Sequence, residues 1–240
     1  MCKVCDEKQA PARRGFLKLA AAGVASGLAL SVPNAFAAPG PTTTVTADEA
    51  LAKLKAGNEK YLAAPQVCAA ELESQRAHVA KGQTPWATIV SCADSRVPPE
   101  LLFGGLGVGE LFVSRNAGNM VDTATMGTIE YGSGVLGVPL IVVLGHERCG
   151  AVAAACEVVE KKTLFPGSIG PMVDAIVPAA LAVAGKPGDF VNNAIHESAV
   201  RTARKIATES PIISELVKKG KVRVVAGRYD LEDGRVEFFA

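Results

Sequence analysis

Apolar residues recur along this chain in two rhythms. Short runs rich in β-branched residues stand at Ala87–Ser91, Leu111–Ser114, Pro139–Leu144, Val222–Gly227 and Val236–Phe239, and each predicts a strand. The run from Pro139 to Leu144 has no polar interruption, which predicts a central parallel strand buried on both faces. Longer segments between these runs repeat apolar positions every three or four residues and predict helices. The first opens at a capping box, Thr46-Ala47-Asp48-Glu49, and runs to about Leu62. Others cover Ala69–Ala80, Thr123–Leu136, Gly150–Lys161, Ile169–Ala184, Phe190–Glu209 and Ile212–Lys219. Pro98-Pro99-Glu100 predicts a short turn or helix, and Glu232-Asp233-Gly234 a turn between the last two strands. Strands alternating with helices predict an α/β fold, a mostly parallel central sheet flanked by helices.

The first 37 residues stand outside that pattern. Arg13-Arg14-Gly15-Phe16-Leu17-Lys18 is a twin-arginine pattern followed by a mildly apolar run, and Ala35-Phe36-Ala37 places small residues where a signal peptidase cuts. The expectation is a leader covering residues 1–37, cleavage before Ala38, a single mature domain over 38–240, and a periplasmic protein with no stable membrane anchor. Cys2 and Cys5 form a Cys-x-x-Cys, but they fall in the leader and leave with it. Of the remaining cysteines, Cys68 and Cys156 are free to pair in an oxidising compartment, although Cys156 alone reads as buried core.

Composition narrows the function classes. Hydrophobic residues make up 49% of the chain and the net charge is +1, which fits a globular protein with a substantial core. So balanced a charge predicts no nucleic-acid partner and no attraction to an anionic membrane.

The chemistry concentrates in two segments that each follow a predicted strand. In Ser91-Cys92-Ala93-Asp94-Ser95-Arg96 an extended backbone puts Cys92, Asp94 and Arg96 on one side. In Gly145-His146-Glu147-Arg148-Cys149-Gly150, the three-residue spacing of His146 and Cys149 lets a turn entering a helix present both to one ion. Cys92 completes a Cys₂His set with one position left for water or Asp94, the open arrangement of a catalytic zinc site. Thiolate donors favour zinc over magnesium or calcium. Two other signals are weaker. Gly132-Ser133-Gly134-Val135-Leu136-Gly137 spells a dinucleotide fingerprint, but it ends a helix and precedes a strand, the reverse of the required context. Gly104 to Gly109 is a glycine-rich loop that predicts close backbone approach. His78 and His196 sit in helical segments without neighbouring ligand types.

Together the two segments resemble the signature of the β-class carbonic anhydrases. The likeness extends through Val97-Pro98-Pro99-Glu100, Glu110–Asn119 and Leu136–Gly145. The resemblance implies one Zn²⁺ per subunit on Cys92, His146 and Cys149, with Asp94 paired to Arg96 as the catalytic residues. It also implies carbon dioxide and bicarbonate as substrates, and a homodimer or homotetramer in which N-terminal helices pack on the partner. Two alternatives share the same ligands: a hydrolase of carbonyl sulfide or carbon disulfide, and a non-catalytic zinc-binding or redox-sensing protein. A purely structural site needs neither Asp94 nor Arg96, which weighs against the second.

Overall fold

The computed structural model describes residues 42–64 and 72–239. The leader, Cys68 and the expected start of the second helix at Ala69 lie outside the described residues. Elements follow in the order α1 (Ala47–Ala63), α2 (Leu72–Val79), β1 (Ala87–Cys92), α3 (Pro99–Leu102), β2 (Leu111–Asn116), a 3₁₀ turn (Ala117–Asn119), α4 (Thr123–Gly134) and β3 (Leu140–His146). After these come α5 (Gly150–Lys161), α6 (Ile169–Asp174), α7 (Val177–Val183), α8 (Phe190–Glu209), α9 (Pro211–Lys218), β4 (Arg223–Tyr229) and β5 (Val236–Phe239). No helix of the described residues is long and apolar enough to cross a membrane.

All five expected strands form one sheet, ordered β2-β1-β3-β4-β5. The first four are parallel, and β5 returns antiparallel beside β4. The chain runs from β1 outward to β2 and then crosses back to β3 on the other side of β1. The crevice between the carboxyl ends of β1 and β3 is therefore the topological switch point, where ligands of open α/β sheets bind.

Strand β3 shows why a continuous apolar run was needed. Leu140, Val142 and Leu144 pack to one face with α1 and α3, against Leu51, Leu54, Leu102 and Phe103. Ile141 and Val143 pack to the other face, against Ile129 of α4, Ala199 and Ile206 of α8, and Ile213 of α9. Every residue of β3 is buried. A third cluster joins α5, α6, α7 and the start of α8 around Cys92 and Cys149.

Helix α1 opens on the expected capping box: the Thr46 hydroxyl accepts from the Glu49 N–H and the Glu49 carboxylate accepts from the Thr46 N–H. Ala50, Leu51 and Leu54 seat this helix on the core of its own chain. The close approach expected of the glycine loop is made here. A Cβ on Gly57 would lie 2.1 Å from the Phe103 carbonyl oxygen, and Gly104, at φ +91°, faces Gly57 in turn. Next to this contact, Asn58 is buried and fully satisfied. Its amide donates to the Leu102 and Gly234 carbonyls and its oxygen accepts from the Val236 N–H, tying α1 and α3 to the β4–β5 hairpin.

One expectation needs correction. The single helix expected over Ile169–Ala184 divides into α6 and α7. Pro178 has no N–H to give the Asp174 carbonyl, and its ring crowds the preceding turn, so the helix restarts with proline in its first turn. The glycine fingerprint at 132–137 closes α4, where Gly132 packs against Phe112 and Thr88, which is a packing role.

Candidate metal centre

The register of the sheet brings the two chemical segments together. Ser91 pairs with Leu144, so Cys92 leaves β1 beside the end of β3, where His146 is the last residue. The strand ends in a tight turn with Arg148 at φ +52°, and Cys149 follows as the N-cap of α5. The ligand atoms of Cys92, His146 and Cys149 all lie within 4.8 Å of one another, and all three residues are buried.

The donors suit a tetrahedral ion. The two sulfurs are 4.0 Å apart, close to the roughly 3.8 Å that separates thiolates bound at about 2.3 Å in tetrahedral geometry. His146 Nδ1 sits 2.8 Å from the Glu147 carbonyl oxygen. A carbonyl only accepts, so Nδ1 carries the proton and Nε2 presents its lone pair. That Nε2 is buried and has no hydrogen-bond partner among the described residues. A buried, orphaned nitrogen facing two sulfurs is the arrangement a soft, borderline cation satisfies.

The two thiols differ in how readily they ionise. Cys92 Sγ takes a hydrogen bond from the Cys149 thiol, which outweighs the cost of burial, and further support comes from the Gly118 N–H at 3.4 Å. Its pKa is therefore lowered from the ordinary thiol value. Cys149 is pushed up, first because its own proton is engaged by Cys92 and then by burial. One negative charge thus forms readily on the pair and the second needs a cation beside it.

Asp94 stands next to this trio. Its Oδ2 lies 3.9 Å from His146 Nε2, near the ligand atoms but outside hydrogen-bond distance. Arg96 grips both carboxylate oxygens, with Nε to Oδ1 at 2.9 Å and a terminal nitrogen to Oδ2 at 2.7 Å. The Arg96 backbone N–H also donates to Oδ1 at 2.9 Å. These bonds hold the Asp94 carboxyl well below the usual carboxylate range. The Asp94 side chain is 18% exposed and that of Arg96 50%, so the pair forms the solvent side of the site.

All five residues singled out from the sequence are therefore brought together. His78 and His196 are not: His196 stacks on Phe239 at 4.1 Å between ring centroids. Cys156 is buried in the third core cluster. Sequence reasoning assigned no role to Gly118 or Arg115. Gly118 has φ +76°, and a Cβ there would lie 2.5 Å from Ile176, so glycine is what lets its N–H reach Cys92. Arg115 reaches back to the carbonyls of Cys92 and Asp94. Neither residue belongs to a ligand pattern that spacing alone would flag.

Comparison with known proteins gives a consistent answer. Residues 87–236 match the family described as carbonic anhydrase. Carbonic anhydrase 2 of Mycobacterium tuberculosis is 39% identical over 186 residues, covering 76% of this chain and 87% of that protein. Among solved structures, the Coccomyxa β-carbonic anhydrase in complex with acetazolamide superposes with a TM-score of 0.61 at 29% identity, over 71% of this chain and 78% of that one. A tetrameric β-carbonic anhydrase of Sordaria macrospora shares the fold with a TM-score of 0.63 at 24% identity, over 71% and 89% of the two chains.

Proposed function

This chain belongs to the carbonic anhydrase family, in its β class, and from that premise we propose that it interconverts carbon dioxide and bicarbonate at one Zn²⁺ per subunit, held by Cys92, His146 and Cys149. The observation that carries the reading is the Asp94–Arg96 fork set 3.9 Å from the orphaned imidazole nitrogen. A site built only to stabilise a fold has no use for an ionised carboxylate beside its ligands. Zinc, when bound, supplies Lewis acidity and makes water acidic enough to act as hydroxide near neutral pH.

The protein's own groups supply orientation. Asp94, kept ionised by Arg96, is an acceptor only, so it takes a hydrogen bond from the attacking oxygen and aims the remaining lone pair at carbon. Because its pKa is depressed, Asp94 does not store the released proton, which passes to solvent through the exposed side of the site. Arg96 has a second task. By occupying both carboxylate oxygens it keeps Asp94 out of the position beside the three ligands.

Stopped-flow carbon dioxide hydration by the zinc-loaded protein, run beside carbonyl sulfide hydrolysis, tests the proposal. Fast hydration with slow sulfide release is expected; the opposite ranking would assign the scaffold to the sister reaction.

The proposal includes place and assembly. The Arg13-Arg14 pattern supports twin-arginine export, cleavage before Ala38 and a periplasmic mature domain over 38–240. Mass spectrometry of the exported chain should find it starting at Ala38, and an intact N-terminus would contradict this. A homodimer or homotetramer is proposed with support from the tetrameric Sordaria neighbour, and light scattering on the purified protein should give two or four subunits.

A further inference from the structure

The carboxyl end of β1 is held by a group that neither binds metal nor touches Asp94's carboxylate. The last ladder bond runs from the Ala93 N–H to the Asn116 carbonyl, and beyond it the chain leaves the sheet. Two carbonyls then need partners, those of Cys92 and Asp94. Arg115, on β2 and paired in register with Ser91, reaches across this exit. Its Nε donates to the Cys92 carbonyl at 2.9 Å and a terminal nitrogen donates to the Asp94 carbonyl at 2.6 Å. The Asp94 carbonyl also accepts from the Val97 N–H at 3.0 Å, which closes the turn carrying Arg96. One planar guanidinium thus spans the backbone from a ligand residue to the residue that aims the reacting oxygen. A lysine, with a point-like ammonium, cannot fork across both carbonyls in fixed geometry.

We propose that Arg115 is a positioning residue for the reaction: by clamping the Cys92 and Asp94 carbonyls it sets the distance between a metal ligand and the aiming carboxylate. Arg96 holds the carboxylate; Arg115 holds the backbone from which that carboxylate projects. The two arginines grip Asp94 from opposite ends, and its aim is lost if either lets go. This inference rests on the roles given to Cys92 and Asp94 above. Without Arg115 the ligand trio keeps its backbone supports, since Cys92 ends β1, where the Ala93 N–H still donates to the Asn116 carbonyl, and His146 and Cys149 are carried by β3 and α5.

The experiment compares wild-type protein, Arg115→Ala and Arg115→Lys, each loaded with zinc and, separately, with cobalt. A wild type that binds metal but does not hydrate carbon dioxide would refute the functional reading and leave the clamp to the cobalt spectrum. With an active wild type, Arg115→Ala should retain one metal per subunit. Its kcat should fall about tenfold or more while KM for carbon dioxide stays within about twofold, the pattern for an interaction that matters in the transition state alone. The cobalt absorption bands, which report ligand geometry, should shift. Added methylguanidinium should restore part of kcat, because Arg115 is exposed and its place open to solvent. Arg115→Lys should fall between the two. A kcat within about twofold of wild type in Arg115→Ala, with an unshifted cobalt spectrum, would overturn the proposal. If Arg115→Ala does not fold, Arg115→Lys decides: full activity and an unchanged spectrum overturn the clamp, and reduced kcat at unchanged KM supports it.

Discussion

The two strand exits that build the site are constructed in opposite ways. At the end of β3, His146 and Cys149 are buried and fixed by backbone. His146 pairs in register with Tyr229, the Glu147 N–H donates to the Tyr229 carbonyl at 2.9 Å, and Cys149 begins α5. The arginine there, Arg148, points to the surface and pairs with Glu147 and Glu232. At the end of β1 the chain has left the sheet by Asp94, and side chains do the holding: Arg96 on the carboxylate, Arg115 on the carbonyls. In the proposed reading, metal anchoring thus falls to residues fixed by backbone, His146 and Cys149 at the β3 exit and Cys92 as the last residue of β1, and the response to a reacting oxygen falls to Asp94, which side-chain bonds hold. Small changes at the three ligands should cost the metal, and small changes at Asp94, Arg96 or Arg115 should cost turnover at constant metal.

His146→Ala should test that division most severely. Removing a buried ligand from the rigid exit should lower zinc content to background and abolish hydration, measured by elemental analysis beside stopped-flow rates. Full zinc with normal turnover would break the comparison outright. Asp94→Asn, at the other exit, should keep one zinc per subunit and lose about a hundredfold in kcat, the scale of a single oriented group in general acid–base and positioning roles. Metal loss instead would show that Asp94 itself helps to anchor the ion.

The two surface arginines sharpen the same contrast. Arg96→Ala should lower kcat about tenfold or more at full zinc, by freeing the Asp94 carboxylate. Arg148→Gly removes an exposed ion pair and relieves a positive φ, so stability should change by less than about 1 kcal/mol and kcat by less than about twofold. Equal losses in the two would mean that the β3 exit depends on its side chains after all. Asn58→Ala lies away from both exits. It should cost about 2–3 kcal/mol in denaturant unfolding, because two buried backbone partners and one part-buried one lose their bonds, while kcat at full folding is unchanged.

Acid should have the mildest effect on the fold. Asp122, which caps α4 by accepting from the Thr125 N–H, and Glu49 in the capping box both have depressed pKa values. A depressed folded-state pKa means the unfolded chain takes up the proton first. The stabilisation is therefore present above the ordinary carboxylate pKa, about 4, and fades as pH falls below it. Unfolding midpoints followed from pH 7 downward should fall on acidification, and the part due to these two caps should be lost at about pH 4 and below. A midpoint that rises on acidification would reverse the sign assigned to these caps.

Much of this protein follows from local pattern. Apolar runs in β1 and β3, period 3.6 in α8, and the spacing of Cys92, Asp94, Arg96, His146 and Cys149 are short-range properties, and from them follow the α/β class and the five residues that the structure brings together. The helix expected over Ile169–Ala184 failed for an equally local reason, since apolar periodicity continued through Pro178 while the hydrogen-bond ladder could not. What chain order leaves open is which strand lies beside which. That β3 returns to the far side of β1 is a choice among packings, made by burying both faces of β3 at once, and this choice creates the crevice that gathers Cys92, His146 and Cys149. Arg115 and Gly118 gain their parts only there. An exposed arginine on an edge strand and a glycine in a turn carry no chemical signature until the sheet sets one against two carbonyls and the other against a sulfur, because hydrogen bonds to backbone depend on position in space and not on residue spacing.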